Sequence, residues 1–211
     1  MQYQWLNKKN NNKLILFLNG WAMNESAVEH LNKEDFDILM INDYRNFELD
    51  FSQFNFEKYS EKYLICWSMG VYVSNLFIEE FNCFNKKIAI NGTNKIIDDN
   101  FGIPKKIYNL TVKFFNETSC DKFIKNIFNG NINSEIKITN TIEELKEELI
   151  SIQNIKTQNE TIFDKAIISK EDIIIPTKNQ IAYWQDKTKL EIIDSAHYPF
   201  KNYTSWKELL C

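Results

Sequence analysis

Short runs of apolar, β-branched residues alternate along this chain with stretches of helical period. Residues 14–18, 36–41, 63–66 and 87–90 read as the first four parallel strands, and 166–168 and 190–193 complete the set. Their near-continuous apolarity suits strands covered on both faces. Helical patterns fall between them at 25–31, 71–81 and 178–185, and after the last strand at 203–210. Such alternation predicts an α/β fold, a mostly parallel open sheet with helices on both faces. Residues 3–6 add an antiparallel edge strand, and the segment 43–60 lacks a full helix.

Between Gly92 and Phe163 the alternation stops and helical patterns follow one another. Pro104 opens a helix that sets Ile107, Leu110 and Phe114 on one face. Phe123, Ile127 and Phe128 continue the pattern, and 142–152 reads as another amphipathic helix. An insertion after a strand of an open sheet commonly covers the crevice at the carboxyl edge. The expectation is one domain over 1–211 with a helical lid at about 93–163; the plainer alternative is an ordinary helical layer.

Composition narrows the classes. Hydrophobic residues make up 44% and aromatics 14%, too many for a disordered chain. A net charge of −4 gives a field that repels nucleic acid. Cys66, Cys83, Cys120 and Cys211 form no C-x-x-C pair, and with only His30 and His197 beside them a metal site is not expected. The N-terminal residues have no signal-type apolar core, and the longest apolar runs are strand-sized. A soluble, reduced, cytoplasmic protein without a membrane partner is the simplest reading, with a monomer favoured.

The chemistry centres on Lys62-Tyr-Leu-Ile-Cys-Trp-Ser-Met-Gly-Val-Tyr-Val-Ser74, an apolar strand, a turn carrying Ser68, and a helix. It resembles the nucleophile elbow of α/β-hydrolases, with Cys66 in place of the first glycine. Positions two before and two after the serine must be small; Gly70 and the compact Cys66 satisfy this. Cys66 itself would lie inside the strand, off the exposed tip. A serine nucleophile needs a base, and the base needs an acid. His197, just after the last strand, is the better base; His30 sits beside Leu31 on a predicted helix. Asp172, in the loop after strand 166–168, is the expected acid, with Glu171 its neighbouring rival. Asp194 is too close in sequence to His197, and Asp164 precedes its strand. Oxyanion donors are expected from the backbone of Met69 and of Trp21, whose ring would wall the acyl site. Taken singly, Ser68 could be a helix cap and either tryptophan a core residue.

Together with Phe17-Leu-Asn-Gly-Trp-Ala-Met-Asn24, Asn42-Asp-Tyr-Arg45, Trp67-Ser-Met-Gly-Val71, Ala89-Ile-Asn-Gly-Thr93, Ile97-Asp-Asp99, Gly102-Ile-Pro104 and Ala196-His-Tyr-Pro-Phe200, the chain resembles the BioG-type pimeloyl-[acyl-carrier protein] methyl ester esterases along nearly its whole length. Asn19 stands where general hydrolases commonly carry histidine. The resemblance implies hydrolysis of a methyl ester on a carrier-bound pimeloyl chain in biotin synthesis, with no metal or organic cofactor. It also implies an acyl-carrier protein partner. From Ile103 to Phe128, Lys105, Lys106, Lys113, Lys122 and Lys125 face only Glu117 and Asp121, a net of +3 on an acidic chain. Such a patch suits an acidic carrier; ordinary solvated lysines are the alternative. Rival functions are a broader short-acyl esterase or thioesterase, and a non-catalytic binding protein on a hydrolase scaffold.

Overall fold

The computed structural model describes residues 1–130 and 136–211; positions 131–135 of the expected insertion lie outside the described residues. Seven strands form one sheet: β1 (Gln2–Asn7), β2 (Lys13–Leu18), β3 (Phe36–Asn42), β4 (Glu61–Trp67), β5 (Lys86–Ile90), β6 (Lys165–Ser169) and β7 (Lys189–Ile193). Their spatial order is β1-β3-β2-β4-β5-β6-β7. Every neighbouring pair is parallel except β1 with β3, so the edge strand is antiparallel as expected. Leu14 to Leu18 are at most 1% exposed, which explains their unbroken apolarity: both faces of β2 are covered.

Chain order reverses at β2, which has β3 on one side and β4 on the other. Ligands of open α/β sheets bind outside the carboxyl ends of strands at such a switch point. The segments after β2, β4, β5, β6 and β7 all leave the sheet at that same edge.

The helices are α1 (Met69–Val73), α2 (Ile78–Phe81), α3 (Lys105–Phe114), α4 (Glu117–Ile127), α5 (Ile142–Gln153), α6 (Thr177–Trp184) and α7 (Trp206–Leu210). Pro104 stands at the N-cap of α3, while Asn116 and Thr141 close capping boxes on α4 and α5. Among the described residues, no helix is long and apolar enough to cross a membrane.

Three helical expectations shorten. Residues 25–31 form only a 3-10 turn, Glu25–Ala27, because Asn24 caps Ser26 and Val28 leaves helical space at φ −133°. The pattern over 71–81 breaks after α1, where the Ser74 hydroxyl bonds the Val71 carbonyl at 2.8 Å and Asn75 reaches out to Asn94 and Thr161. Residues 203–210 contribute only α7, since Ser205 is its extended N-cap and pairs with Asn32. In the second case side chains bonded to neighbouring groups end the helix that the apolar period alone would continue.

Candidate active site

The turn between β4 and α1 places Ser68 at φ 55°, ψ −119°, a strained conformation for a residue with a side chain. Such strain costs about 1–3 kcal/mol and persists only where the surroundings enforce it. Here Gly70 and Gly92 enforce it by close approach. A Cβ on Gly70 would meet the Leu18 carbonyl oxygen at 2.3 Å, and one on Gly92 the Ser68 carbonyl oxygen at 2.5 Å. Cys66 is wholly buried inside β4, and burial pushes its thiol well above the usual range.

His197 Nε2 lies 2.9 Å from Ser68 Oγ, and His197 Nδ1 lies 2.8 Å from Asp172 Oδ2. An ionised carboxylate only accepts, so Nδ1 carries the proton and Nε2 is left to accept from the serine hydroxyl. The Asp172 carboxylate is fixed on its other sides. Oδ1 accepts from the N–H groups of Ile174 and Ile175 at 2.9 Å each, and Oδ2 from Gln180 Nε2 at 2.8 Å. The rival groups are elsewhere. Glu171 is exposed and bonded to Asn129, Asp164 accepts from the N–H of Lys87, and His30 contacts the Phe200 carbonyl.

The carbonyl of His197 accepts from Trp67 Nε1 at 3.1 Å and from Asn91 Nδ2 at 2.9 Å. Trp67 thus lies beneath the histidine loop, packed on Phe200 and Tyr198 in the core. Asn91 also exchanges two bonds with Ser169. The sequence held no sign of these roles, because their shared partner is a backbone carbonyl more than a hundred residues away. Gln180 was missed as well: it is wholly buried on α6, where its register beside Tyr183 and Trp184 was the available signal.

A predominantly apolar cavity of about 410 Å³ opens above Ser68, within the range of small-molecule sites. Ser68, Met69 and Trp21 line it from the sheet side. Ile107, Leu110 and Phe114 of α3 line it from the other, which explains why these apolar side chains are 54%, 42% and 60% exposed. α4 and α5 also contribute, through Phe123 and Leu149. The Trp21 ring packs edge-on against Phe123 and Phe115 and donates through Nε1 to the Leu145 carbonyl at 3.0 Å. Among the described residues, the backbone N–H groups of Trp21 and Met69 donate to no protein acceptor.

Lys105, Lys106, Lys113, Lys122 and Lys125 are exposed on α3 and α4. Lys122 lines the cavity, and Lys113 lies over the Phe114 ring. A second buried carboxyl, Glu148 of α5, sits behind the Trp21 loop and is pushed up to about 8 by burial. It shares the buried face of the helix with Leu145 and Leu149, a register that the sequence reading left unremarked. Among the described residues, no cluster of three or more His, Cys, Asp or Glu side chains could hold a metal ion.

Comparison with known proteins bears on the family and the fold. The family model for pimeloyl-ACP methyl esterase BioG matches residues 1–209. A malonyl-[acyl-carrier protein] O-methyltransferase of Bacteroides fragilis (strain 638R) is 34% identical over 196 residues, covering 89% of this chain. The chain spans only 40% of that relative's length. The crystal structure of BioG from Haemophilus influenzae superposes with a TM-score of 0.89 at 30% identity, covering 99% of both chains. An esterase from Exiguobacterium antarcticum, 13% identical over 93% of this chain and 87% of its own, shares the fold with a TM-score of 0.65. The chain has the α/β-hydrolase fold and belongs to the pimeloyl-ACP methyl esterase BioG family.

Proposed function

We propose that this protein is a serine esterase that removes the methyl group from a pimeloyl methyl ester carried on acyl-carrier protein. The hydrogen-bonded series Ser68–His197–Asp172 on the floor of an apolar cavity carries this reading. Ser68 Oγ attacks the ester carbonyl as its proton passes to His197 Nε2, and Asp172 stabilises the imidazolium. The N–H groups of Trp21 and Met69 hold the oxyanion. Collapse of the tetrahedral intermediate breaks the bond to the methoxy group, which leaves as methanol with the proton from His197. Water, deprotonated by the same histidine, then attacks the acyl-serine, and the carboxylic acid is released with Ser68 reprotonated.

The apolar cavity suits a methylene chain entering ester first, with the carrier left outside. In this reading residues 1–211 form one domain whose segment at about 93–163 acts as the lid. The exposed Lys105, Lys106 and Lys113 on α3 meet the acidic carrier. The family description, and the carrier protein named for the Bacteroides relative, support an acyl chain presented on a carrier.

A fluorophosphonate probe separates catalysis from binding on an inactive scaffold. It labels Ser68 in the native protein, labels nothing in Ser68→Ala, and labels His197→Ala weakly. An unlabelled native protein refutes the reading. Turnover of the methyl ester but not the thioester of the same carrier separates it from a broader thioesterase.

A further inference from the structure

We propose that Glu148 is a positioning residue that holds the oxyanion loop in its working shape, an inference that rests on the serine-esterase reading. Glu148 is 2% exposed, on the face of α5 otherwise given to Leu145, Leu149 and Ile152. Burying a carboxyl among such side chains costs several kcal/mol on the order of polar transfer scales, so packing alone would favour another leucine. Nor does it serve as half of an ion pair. Arg45 is committed to Asp43 at 2.7 Å and Glu144 at 2.9 Å, and among the described residues no cation closes on Glu148.

What Glu148 does meet is backbone. Its Oε1 accepts from the N–H of Tyr44 at 3.0 Å, and the nearby N–H of Ala22 eases the cost of charge on the same carboxyl. Both peptides sit at left-handed turns of residues with side chains: Ala22 has φ 66°, and Asp43, directly before Tyr44, has φ 57°. That region is unfavourable for such residues and needs an external partner to hold it. Ala22 follows Trp21, whose free N–H is the second oxyanion donor. The other turn reaches the same loop, because Tyr44 Oη donates to the Asn19 carbonyl at 2.7 Å. Asn19 Oδ1 in turn accepts from the N–H of Gly20 at 2.8 Å. One carboxyl on a cavity-lining helix thereby fastens, through Tyr44, the loop that begins at Asn19.

The test uses hydrolysis of p-nitrophenyl acetate, a small free ester that needs no carrier. Glu148→Leu keeps the bulk but leaves the N–H of Tyr44 without an acceptor. A mis-aimed oxyanion donor lowers kcat about tenfold with KM changed less than twofold. A trifluoromethyl ketone, which forms the oxyanion adduct, should bind more weakly by the same factor. Ala22→Gly in the same background should recover part of kcat, since glycine adopts positive φ freely. If Glu148→Leu fails to fold, Glu148→Asp, with its carboxyl drawn back by one methylene, is expected to show the same split. A folded variant with wild-type kcat, or with its loss confined to KM, overturns the role. A wild-type protein that turns over no ester overturns the serine-esterase reading itself and takes this role with it.

Discussion

The indole of Trp67 donates to the backbone carbonyl of His197, so the residue directly before Ser68 holds the residue whose ring accepts from the Ser68 hydroxyl. Asn91, at the end of the adjacent strand, donates to the same carbonyl. The histidine loop is therefore pinned from β4 and β5 before any substrate arrives. That rigidity is what a general base needs, because proton transfer fails when the ring drifts by an ångström or so.

Replacing Trp67 by Phe keeps the ring against Phe200 and removes only the N–H. The His197 carbonyl retains Asn91, so the loss is about 1 kcal/mol, or about 2–4 °C in Tm, with kcat reduced several-fold. Asn91→Ala should cost more, since it also frees the N–H and hydroxyl of Ser169. Thermal melts and steady-state kinetics on a small ester check the ranking; a Trp67→Phe protein with wild-type Tm and kcat would mean that the indole N–H holds nothing.

Asp172 fixes the histidine tautomer. In Asp172→Asn an amide can present its N–H₂ to Nδ1, which reverses the tautomer and leaves Nε2 protonated, unable to accept from Ser68. A kcat loss of about 10³–10⁴ with little change in KM is expected. Glu171→Gln, on an exposed side chain bonded to Asn129, should stay within about twofold of wild type. Near-normal turnover by the Asn variant would place the acid elsewhere.

The buried Glu148 gives stability a pH dependence of definite sign. Desolvation holds its folded value up to about 8, against an unfolded value of about 4.3. The folded state therefore binds the proton more tightly. This contribution is complete below about pH 4 and is lost progressively as pH rises towards about 8. Glu148→Gln removes it, so the Tm of wild type relative to the variant should fall across that interval. A relative Tm that rises with pH would show that the carboxyl is ionised in the fold.

Lys106→Glu with Lys113→Glu reverses two exposed charges on α3 without touching the residues that line the sheet side of the cavity. Encounter with an acidic carrier should slow by about tenfold or more at low salt, while a free ester is hydrolysed as before. Equal losses on both substrates would mean that the helix was damaged rather than its charge.

Much of this arrangement could be read along the chain, for identifiable reasons. The strands were legible because those buried on both faces are written as unbroken apolar runs, and the Ser68 turn because its close approaches demand small residues at Cys66 and Gly70. Asp172 and His197 followed from their places after β6 and β7. The helices at 25–31 and 71–81 misled, because Val28 leaves helical space and Ser74 and Asn75 spend their side chains on backbone groups where period alone continues the helix. Glu148, Asn91 and Gln180 escaped notice because each acts on a partner remote in sequence.

The central claim is tested most directly by the mass of the carrier. Methyl-pimeloyl carrier protein is incubated with the enzyme and the intact carrier is weighed. Loss of the methyl group with the thioester still in place is expected, and no change with Ser68→Ala. Release of the whole acyl chain, or demethylation that survives Ser68→Ala, would contradict it.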